Sequence, residues 1–303
     1  MILDMSTFAQ TEHNVTDLFP VGRTFVYDGT NYEVVVSGKP KPRRGECKTD
    51  TYVKAIADNG QFREFKISVK QSNAEFLENK ISLERAKEIF GDDAQDIIRK
   101  SLQSVKKEFL DDYLVCVDRY RRTQEKTIKL GWKFELLRYD GGRRSGVIVL
   151  TRDQKLNVYA GTGLSAEKRN CFVGDQIVED SGIANMYVEI NTDDVNLEYV
   201  LSHMLTIEEF VNNNSSDLYF ACKALNYRSV PDKWDGNRPL AVYVDWVLRE
   251  NVIYASINME RPLEKKGDEV GNKLKTILKK LHITSDNFAD IKLYLAPEIK
   301  VYG

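Results

Sequence analysis

The chain has 303 residues, of which 42% are hydrophobic and 30% charged, and its formal net charge is −2. Such a chain can bury a substantial core as one large or two smaller globular domains, and its charge alone does not indicate a nucleic-acid-binding protein. No apolar run approaches the roughly 18 residues of a membrane span, and residues 1–10 lack the basic start and apolar stretch of a signal peptide, so we expect a cytoplasmic protein.

The first part of the chain predicts two β-hairpins joined by a basic connector. Residues 23–36 form the first, with Asp28-Gly29 at its turn. Residues 39–44 contain two prolines and must be a loop or an extended connector. The second hairpin has strands at 51–57 and 62–70, and Asp58-Asn59-Gly60 is a strong turn signal between them.

Strict alternation in the second hairpin predicts which side chains share a face. Apolar residues of one parity should face a core, and polar residues of the other parity should line an open face. The apolar set is Phe65, Ile67 and Val69, and the polar set is Glu64, Lys66, Ser68 and Lys70.

The turn also predicts the register of the hairpin. If it is centred on Asn59, residues whose numbers add up to about 118 face each other. The resulting pairs are Asp50 with Ser68, Tyr52 with Lys66, and Lys54 with Glu64. An acid opposite an X-Lys step at a strand end can hold a divalent metal and activate water. Two interpretations stay open, Glu64-Phe65-Lys66 or Ser68-Val69-Lys70 as the partner of Asp50, and the register favours the second.

The rest of the chain predicts a mixture of helices and strands. Helices are expected in an opening segment up to about Pro20 (helical or irregular), after Ser72 or Asn73, after Ser82, and at 92–122, 195–212 and 268–281. Strands are expected at 134–139, 146–151, 156–159, 240–248, 252–259 and 291–295. The pattern changes from helical spacing to strand-like runs at about Trp132, and one interpretation of this change is a domain boundary near residue 125.

Cysteine and histidine chemistry has little support in the sequence. The four cysteines and three histidines are far apart, and no CxxC pair is present. This spacing indicates neither a zinc site nor a disulfide scaffold. Gly161-Thr162-Gly163 lacks the lysine of a phosphate-binding loop, so we expect a turn there.

One family resemblance covers about residues 40–90. The order is Gly45-Glu46-Cys47-Lys48-Thr49-Asp50, a strand, a turn, Lys66 to Gln71, and then Asn73-Ala74-Glu75-Phe76 on an expected helix. This order resembles the PD-(D/E)XK nucleases, and within them it looks most like type II restriction endonucleases. Thr49 replaces the proline before the acid, and Ser68 occupies the position of the second acid. Some members with a Ser-X-Lys step recruit the missing carboxylate from the next helix, where the matching candidates are Glu75, Glu78 and Glu84.

The resemblance implies a fold and an activity. The fold is α/β (mixed α+β), with a central mixed sheet flanked by helices. Residues 1–125 would hold part of the nuclease core, and residues 126–303 would complete it or recognise DNA. The activity is Mg²⁺-dependent hydrolysis of phosphodiester bonds at a specific site in double-stranded DNA, by a homodimer that could work beside a cognate DNA methyltransferase. The alternatives are a structure-specific repair, recombination or phage-defence nuclease, and a catalytically silent nucleic-acid-binding protein with the same fold.

The resemblance also assigns roles to individual residues. Asp50 would bind Mg²⁺ with Glu75 as first choice and Glu46 as an added carboxylate, and Lys70 would position or help deprotonate the attacking water. Glu64 with Lys66, and Glu78 or Glu84 in place of Glu75, are the alternatives. The expected DNA contacts are Lys41, Arg43, Arg44, Lys48, Gln71, Asn73, Arg143 and Arg144.

Overall fold

The computed structural model describes residues 6–191, 195–214 and 216–303 and has a mixed α/β fold. The chain forms two compact units that interleave along the sequence. The first contains residues 1–74, 88–91 and 150–216, and the second contains 75–87, 92–149 and 217–303. The expected boundary near residue 125 lies within the second unit. Residues 1–5 of the predicted opening segment lie outside the described residues.

The helices and strands are numbered in chain order. The helices are α1 (Ser6–Asp17), α2 (Leu83–Phe90), α3 (Ala94–Ser104), α4 (Lys106–Leu110), α5 (Arg152–Ala160), α6 (Ala166–Arg169), α7 (Leu197–His203), α8 (Ile207–Asn213) and α9 (Gly267–Lys280), with a 3₁₀ helix at Phe288–Leu293. The strands are β1 (Thr24–Tyr27), β2 (Thr30–Gly38), β3 (Thr51–Ala57), β4 (Phe62–Gln71), β5 (Phe76–Glu78), β6 (Val115–Cys116), β7 (Thr127–Leu137), β8 (Ser145–Ile148), β9 (Cys171–Val173), β10 (Gln176–Val178), β11 (Met186–Ile190), β12 (Leu205–Thr206), β13 (Leu218–Arg228), β14 (Lys233–Trp234), β15 (Pro239–Leu240), β16 (Val242–Arg249), β17 (Val252–Asn258), β18 (Lys265–Lys266) and β19 (Val301–Tyr302). Among the described helices, none is both long and apolar enough to cross a membrane.

The sheet of the first unit has the order β1-β2-β3-β4-β11-β12. Strands β1 to β4 are antiparallel, as the two predicted hairpins require, whereas β11 runs parallel to β4. The predicted register is confirmed for Tyr52 with Lys66 and for Lys54 with Glu64. The ladder ends at the pair of Thr51 with Ile67, so the third predicted pair, Asp50 with Ser68, is not part of it. Gly60 makes this register possible because it adopts a φ of 81°, in the left-handed region that glycine tolerates best, within the turn.

One face of this sheet packs against α1 and α7. Phe65, Ile67 and Val69 are all buried in that core, as the alternation predicts. The ring centroid of Phe65 lies 5.5 Å from that of Phe25 and 5.3 Å from that of Tyr32. Because these residues alternate along β4, their polar neighbours point to the opposite face. That face is not open as predicted, since Ser68 is buried and Glu64, Lys66 and Lys70 are only partly exposed.

Helix α5 replaces a strand that the sequence predicts at residues 156–159. Thr151 forms a capping box with Gln154, and Gly161 ends the helix with a φ of 76°. These two end signals favour a helix, and they outweigh the short apolar run between them. The turn expected at residues 161–163 is confirmed.

The second unit is built on a larger mixed sheet in which β13 lies between β7 and β8. Its core contains the buried Trp132 and the stacked rings of Phe134 and Phe220, whose centroids are 5.4 Å apart. Asp112 makes ion pairs of 2.5 Å with both Lys129 and Arg144 in a largely buried position. Pairing of this kind is what allows charged side chains to remain inside a folded protein.

Four other sequence predictions are corrected in the structure. The helix expected after Asn73 is a turn followed by β5, which pairs with β7. The helix expected at 92–122 ends at Leu110, and Leu110 itself is 50% exposed rather than in the core. The segment 195–212 holds two short helices separated by β12, and the last expected strand is the 3₁₀ helix. In each case tertiary contacts override a local propensity that differs little between the two states.

Phe65 provides a test of the first unit's core. Phe65→Ala should lower the free energy of unfolding by about 3–5 kcal/mol, because it leaves a cavity among three aromatic rings. Phe62→Ala, on the same strand but 60% exposed, is the matched control and should cost less than about 1 kcal/mol. Urea denaturation measures both, and equal losses would contradict this packing.

Candidate functional site

Asp50 lies just before β3 and is held against the end of β4. Its N–H donates to the carbonyl oxygen of Ile67 at 2.9 Å, and its Oδ2 accepts a hydrogen bond from the N–H of Val69 at 2.8 Å. The hairpin register explains this position, because it carries the chain before Thr51 alongside the end of β4. The carboxylate is therefore held in place by backbone groups rather than by flexible side chains.

The charges around Asp50 are mixed. Burial raises its pKa to about 6, and the positive charge of Lys70 opposes that rise. The negative charge of Glu12 raises the pKa of Asp50 further, whereas the Val69 N–H and Lys39 lower it. Two carboxylates and two ammonium groups are thus close enough to influence one another electrostatically. A carboxylate with a raised pKa beside a charged partner is typical of functional sites.

Glu12 reaches this site from helix α1. The helix is tied to the sheet by two hydrogen bonds, from Gln71 Nε2 to Thr11 Oγ1 at 2.7 Å and between the hydroxyls of Thr16 and Thr51, also at 2.7 Å. Glu12 Oε2 lies 2.5 Å from the Nζ atom of Lys39, which follows β2. The site therefore combines an α1 carboxylate with groups from β2, β3 and β4.

Strand β11 adds a carboxylate next to Lys70. Because β11 is parallel to β4, Glu189 is the register partner of Lys70, and Tyr187 is the partner of Ser68. The hydroxyl of Tyr187 donates to Glu189 Oε1 at 3.0 Å. Ser68 itself is only 3% exposed and offers no carboxylate. Glu12 and Glu189 are the acids that the fold brings towards the Ser68-Val69-Lys70 step.

The connector after β2 passes the site and carries exposed basic residues. Lys41 exchanges two backbone hydrogen bonds with Phe172, at 2.8 and 2.9 Å, so the connector is anchored at that point. Lys41, Arg43 and Arg44 are exposed. Exposed cations of this kind are the groups that contact phosphates in proteins that bind nucleic acids.

The segment that leads to Asp50 is packed on two neighbouring loops. The N–H of Lys48 donates to the carbonyl oxygen of Gly182 at 2.9 Å. A Cβ atom added at Gly161 would lie only 2.6 Å from Cγ of Lys48. Gly161 thus leaves room for the Lys48 side chain. Cys47 and Cys171, far apart in sequence, also interact, since the Cys171 side chain and burial raise the pKa of Cys47. Both side chains are thiols.

Comparison with known proteins gives no relative. No family model, curated protein or solved structure matches this chain. The function must therefore be inferred from the geometry of the site.

The literal Glu-X-Lys alternative has other partners in the fold. Glu64 lies opposite Lys54, as predicted, and its Oε1 accepts a hydrogen bond from the hydroxyl of Tyr52 at 2.6 Å. Lys66 donates through Nζ to the carbonyl oxygen of Asp180 at 3.2 Å. Glu46 is exposed and precedes Asp50 by four residues. Glu12, by contrast, is among the groups whose charges shift the pKa of Asp50.

The glutamates expected on the next helix belong to the second unit. Glu75 is exposed in the loop before β5, and its carbonyl oxygen accepts from the N–H of Arg138 at 3.0 Å. Glu78 lies in β5 and forms an ion pair with Arg85, and Glu84 is exposed in α2. Because β5 replaces the expected helix, the helix argument for choosing Glu75 no longer holds.

The remaining predicted DNA contacts have varied surroundings. Gln71 is 5% exposed and is used to hold α1, whereas Asn73 is exposed in the turn after β4. Arg143 pairs with Glu108 at 2.6 Å. Arg144 pairs with Asp112, and its guanidinium carbon lies 5.6 Å from the ring centroid of Trp132. These contacts favour structural roles for Gln71 and Arg144.

Sequence reasoning missed Glu12, Lys39 and Glu189. Their closeness to Asp50 or Lys70 in space depends on the course of the connecting loops, which the sequence does not reveal. A helix before the first hairpin was expected only in outline, and β11 was not expected at all. The only local signal was the basic connector after β2, which begins with Lys39.

The donor set at this site suits a hard cation. Within the ranges that the structure describes, no group of three or more His, Cys, Asp and Glu side chains could hold a metal ion. Zinc sites commonly use three or four such ligands, whereas Mg²⁺ is usually bound by one or two carboxylates together with water and substrate phosphates. Asp50 and Glu12 are the two carboxylates here that could form such a smaller set.

The raised pKa of Asp50 makes a prediction about stability. Its folded-state pKa of about 6 exceeds the ordinary value of 3.8, so the unfolded chain loses this proton first as the pH rises. The stability that depends on protonated Asp50 is lost between these two values, and above them the folded protein carries a buried charge. Asp50→Asn keeps an acceptor for Val69 and should raise the melting temperature at pH 7.5 in EDTA, but not at pH 4.

The control for this prediction is an exposed aspartate in the same unit. Asp58→Asn keeps the side-chain oxygen that accepts from Asn31 and should change the melting temperature by less than about 2 °C at both pH values. Differential scanning calorimetry gives both measurements. A lower melting temperature for Asp50→Asn at pH 7.5 would contradict the charge balance described here.

Proposed function

We propose that this protein is a Mg²⁺-dependent endonuclease that hydrolyses phosphodiester bonds in double-stranded DNA, of the type II restriction kind. The observation that carries the proposal is that Lys70 from β4 and Glu12 from α1 both lie near enough to Asp50 to shift its pKa, while the end of β4 holds Asp50 through the Val69 N–H. Two carboxylates and a lysine are the residue types that a metal-assisted phosphodiester hydrolase needs.

The topology of the first unit supports the proposal. Two antiparallel hairpins, β11 and the short strand β12 form a mixed sheet, in which β11 runs parallel to the lysine-bearing strand β4. Helices α1 and α7 pack against this sheet. The resemblance of residues 40–90 to PD-(D/E)XK nucleases implies a central mixed sheet flanked by helices. Asp50, Lys70 and Lys39 lie at one end of the sheet, next to the termini of neighbouring strands.

Asp50 and Glu12 are the residues that would hold the cation. When bound there, Mg²⁺ would activate a water molecule and neutralise negative charge on the phosphate. The Val69 N–H holds Asp50 in one orientation at 2.8 Å. The anchoring of α1 through Thr11 and Thr16 similarly limits the movement of Glu12. Such positioning lowers the entropy that would be lost on binding.

Lys70 is the group that would act on the attacking water. Its ammonium lies near enough to Asp50 to lower the pKa of that carboxylate, and its register partner is Glu189. From this position Lys70 can orient the attacking water, help to deprotonate it, and stabilise negative charge on the phosphate. Glu189 would help to orient the lysine.

The substrate class follows from the surface beside the site. Lys41, Arg43 and Arg44 are exposed on the connector that passes it. Contacts from such residues to phosphates supply affinity without sequence selectivity, and that affinity falls with salt. Although the formal net charge of the chain is −2, the connector beside the candidate site is locally basic. Sequence-specific recognition and dimerisation rest on the family resemblance alone.

Plasmid digestion in Mg²⁺ tests this function and its second carboxylate. The wild-type protein should give discrete fragments, and both Asp50→Ala and Glu12→Gln should abolish cleavage while the protein stays folded. Glu75→Gln is the matched control and should cut normally. A smear or cleavage at junctions would indicate a structure-specific nuclease, and DNA binding without cleavage would indicate a silent binding protein. Activity in Glu12→Gln together with its loss in Glu75→Gln would restore Glu75 as the ligand.

A pair of lysine substitutions distinguishes the two X-Lys interpretations. Lys70→Ala should slow single-turnover cleavage on the order of a hundredfold or more, as positioned proton-transfer groups typically contribute. Lys66→Ala, four residues away on the same strand, should have a much smaller effect because Lys66 is directed to the carbonyl of Asp180. The reverse order of rates would return the assignment to Glu64-Phe65-Lys66.

A further inference from the structure

Lys39 has a fixed backbone and a half-exposed side chain at the edge of the candidate site. On one side, Gly38 is paired with Tyr52 in the β2–β3 ladder. On the other side, Pro40 is buried and Lys41 is hydrogen-bonded to Phe172 in both directions. The side chain of Lys39 is 49% exposed. The Cα of Lys39 is thus held in place, while its ammonium can change partners.

The ammonium of Lys39 is directed to the acids of the site. Its Nζ lies 2.5 Å from Glu12 Oε2, and its charge also lowers the pKa of Asp50. These are the two carboxylates assigned to the metal. In the absence of a metal, Glu12 and Asp50 would repel each other, and Lys39 reduces this repulsion.

We propose that Lys39 is a built-in cation of the metal-free site, which neutralises Glu12 and Asp50 until a divalent cation displaces it. This inference rests on the proposed function, because it assumes that those two carboxylates bind the metal. Displacement requires only a rotation of the lysine side chain, since the backbone on both sides stays paired. The released ammonium then lies on the same connector as Lys41, Arg43 and Arg44, where it can meet a phosphate.

Lys39 and a divalent cation would compete for Glu12, so the presence of Lys39 should weaken metal binding. A bound divalent cation gains less from Glu12 when it must first replace an ammonium, and it is repelled by that ammonium if the lysine stays. An exposed ion pair is weak, and a nearby charge in high dielectric changes affinity modestly, so removing Lys39 should tighten metal binding by roughly three- to tenfold. A lysine with a purely structural role would not tighten metal binding when removed.

Isothermal titration of the DNA-free protein with MgCl₂ at low ionic strength tests this inference. Lys39→Met should bind Mg²⁺ roughly three- to tenfold more tightly than the wild type, and Lys39→Arg should resemble the wild type. Lys54→Met removes a positive charge from β3, opposite Glu64, and should leave the affinity unchanged. Thermal unfolding in EDTA checks that each variant is folded, and added MgCl₂ should raise the melting temperature of Lys39→Met more than that of the wild type.

The outcomes separate this inference from the proposed function. Binding that is lost in Asp50→Asn and not tightened in Lys39→Met overturns the role of Lys39 alone. Equal tightening in Lys54→Met reduces the effect to net charge and also overturns it. An absence of Mg²⁺ binding in both the wild type and Lys39→Met overturns the inference and the proposed function together.

Discussion

The candidate site depends on the register of a single hairpin. The turn at residues 58–60 aligns β3 with β4, and this alignment brings Asp50 to the backbone of Ile67 and Val69. A shift of one residue would move every side chain of β4 to the opposite face. The core would then lose Phe65, Ile67 and Val69, so the packing that stabilises the sheet also keeps Lys70 beside Asp50.

Each unit contains a buried or partly buried carboxylate, and the two units neutralise its charge to different extents. In the second unit, Asp112 is neutralised by Lys129 and Arg144 in close ion pairs. In the first unit, Asp50 accepts one backbone hydrogen bond and is only partly compensated by Lys70, and its pKa rises to about 6. Full pairing stabilises a structural cluster. Incomplete pairing leaves a carboxylate able to gain from a bound cation, which is how a binding site differs from a structural ion pair.

The residues of the candidate site come from segments that lie at different distances from one another along the chain. Asp50 and Lys70 come from one hairpin, so their proximity could be predicted from the turn and the alternation. Glu12 depends on the docking of α1, and Glu189 on a parallel strand more than a hundred residues after β4. The choice of Glu75 assumed that a local capping signal at Asn73 would start a helix. Pairing of β5 with β7 overrides that signal, because a buried ladder satisfies more backbone groups than one exposed turn.

The amino-acid sequence was enough to predict the elements whose signals are local. These are the hairpins at Asp28-Gly29 and Asp58-Asn59-Gly60, the buried face of β4, and the helix capped by Ser82. Turn geometry and side-chain alternation act over a few residues, and they need no knowledge of the rest of the chain. Packing between distant segments makes residues 156–159 helical, places β11 beside β4, and brings Glu12 and Lys39 near Asp50. Those outcomes depend on contacts between distant segments, where burial and pairing outweigh local preferences of similar size.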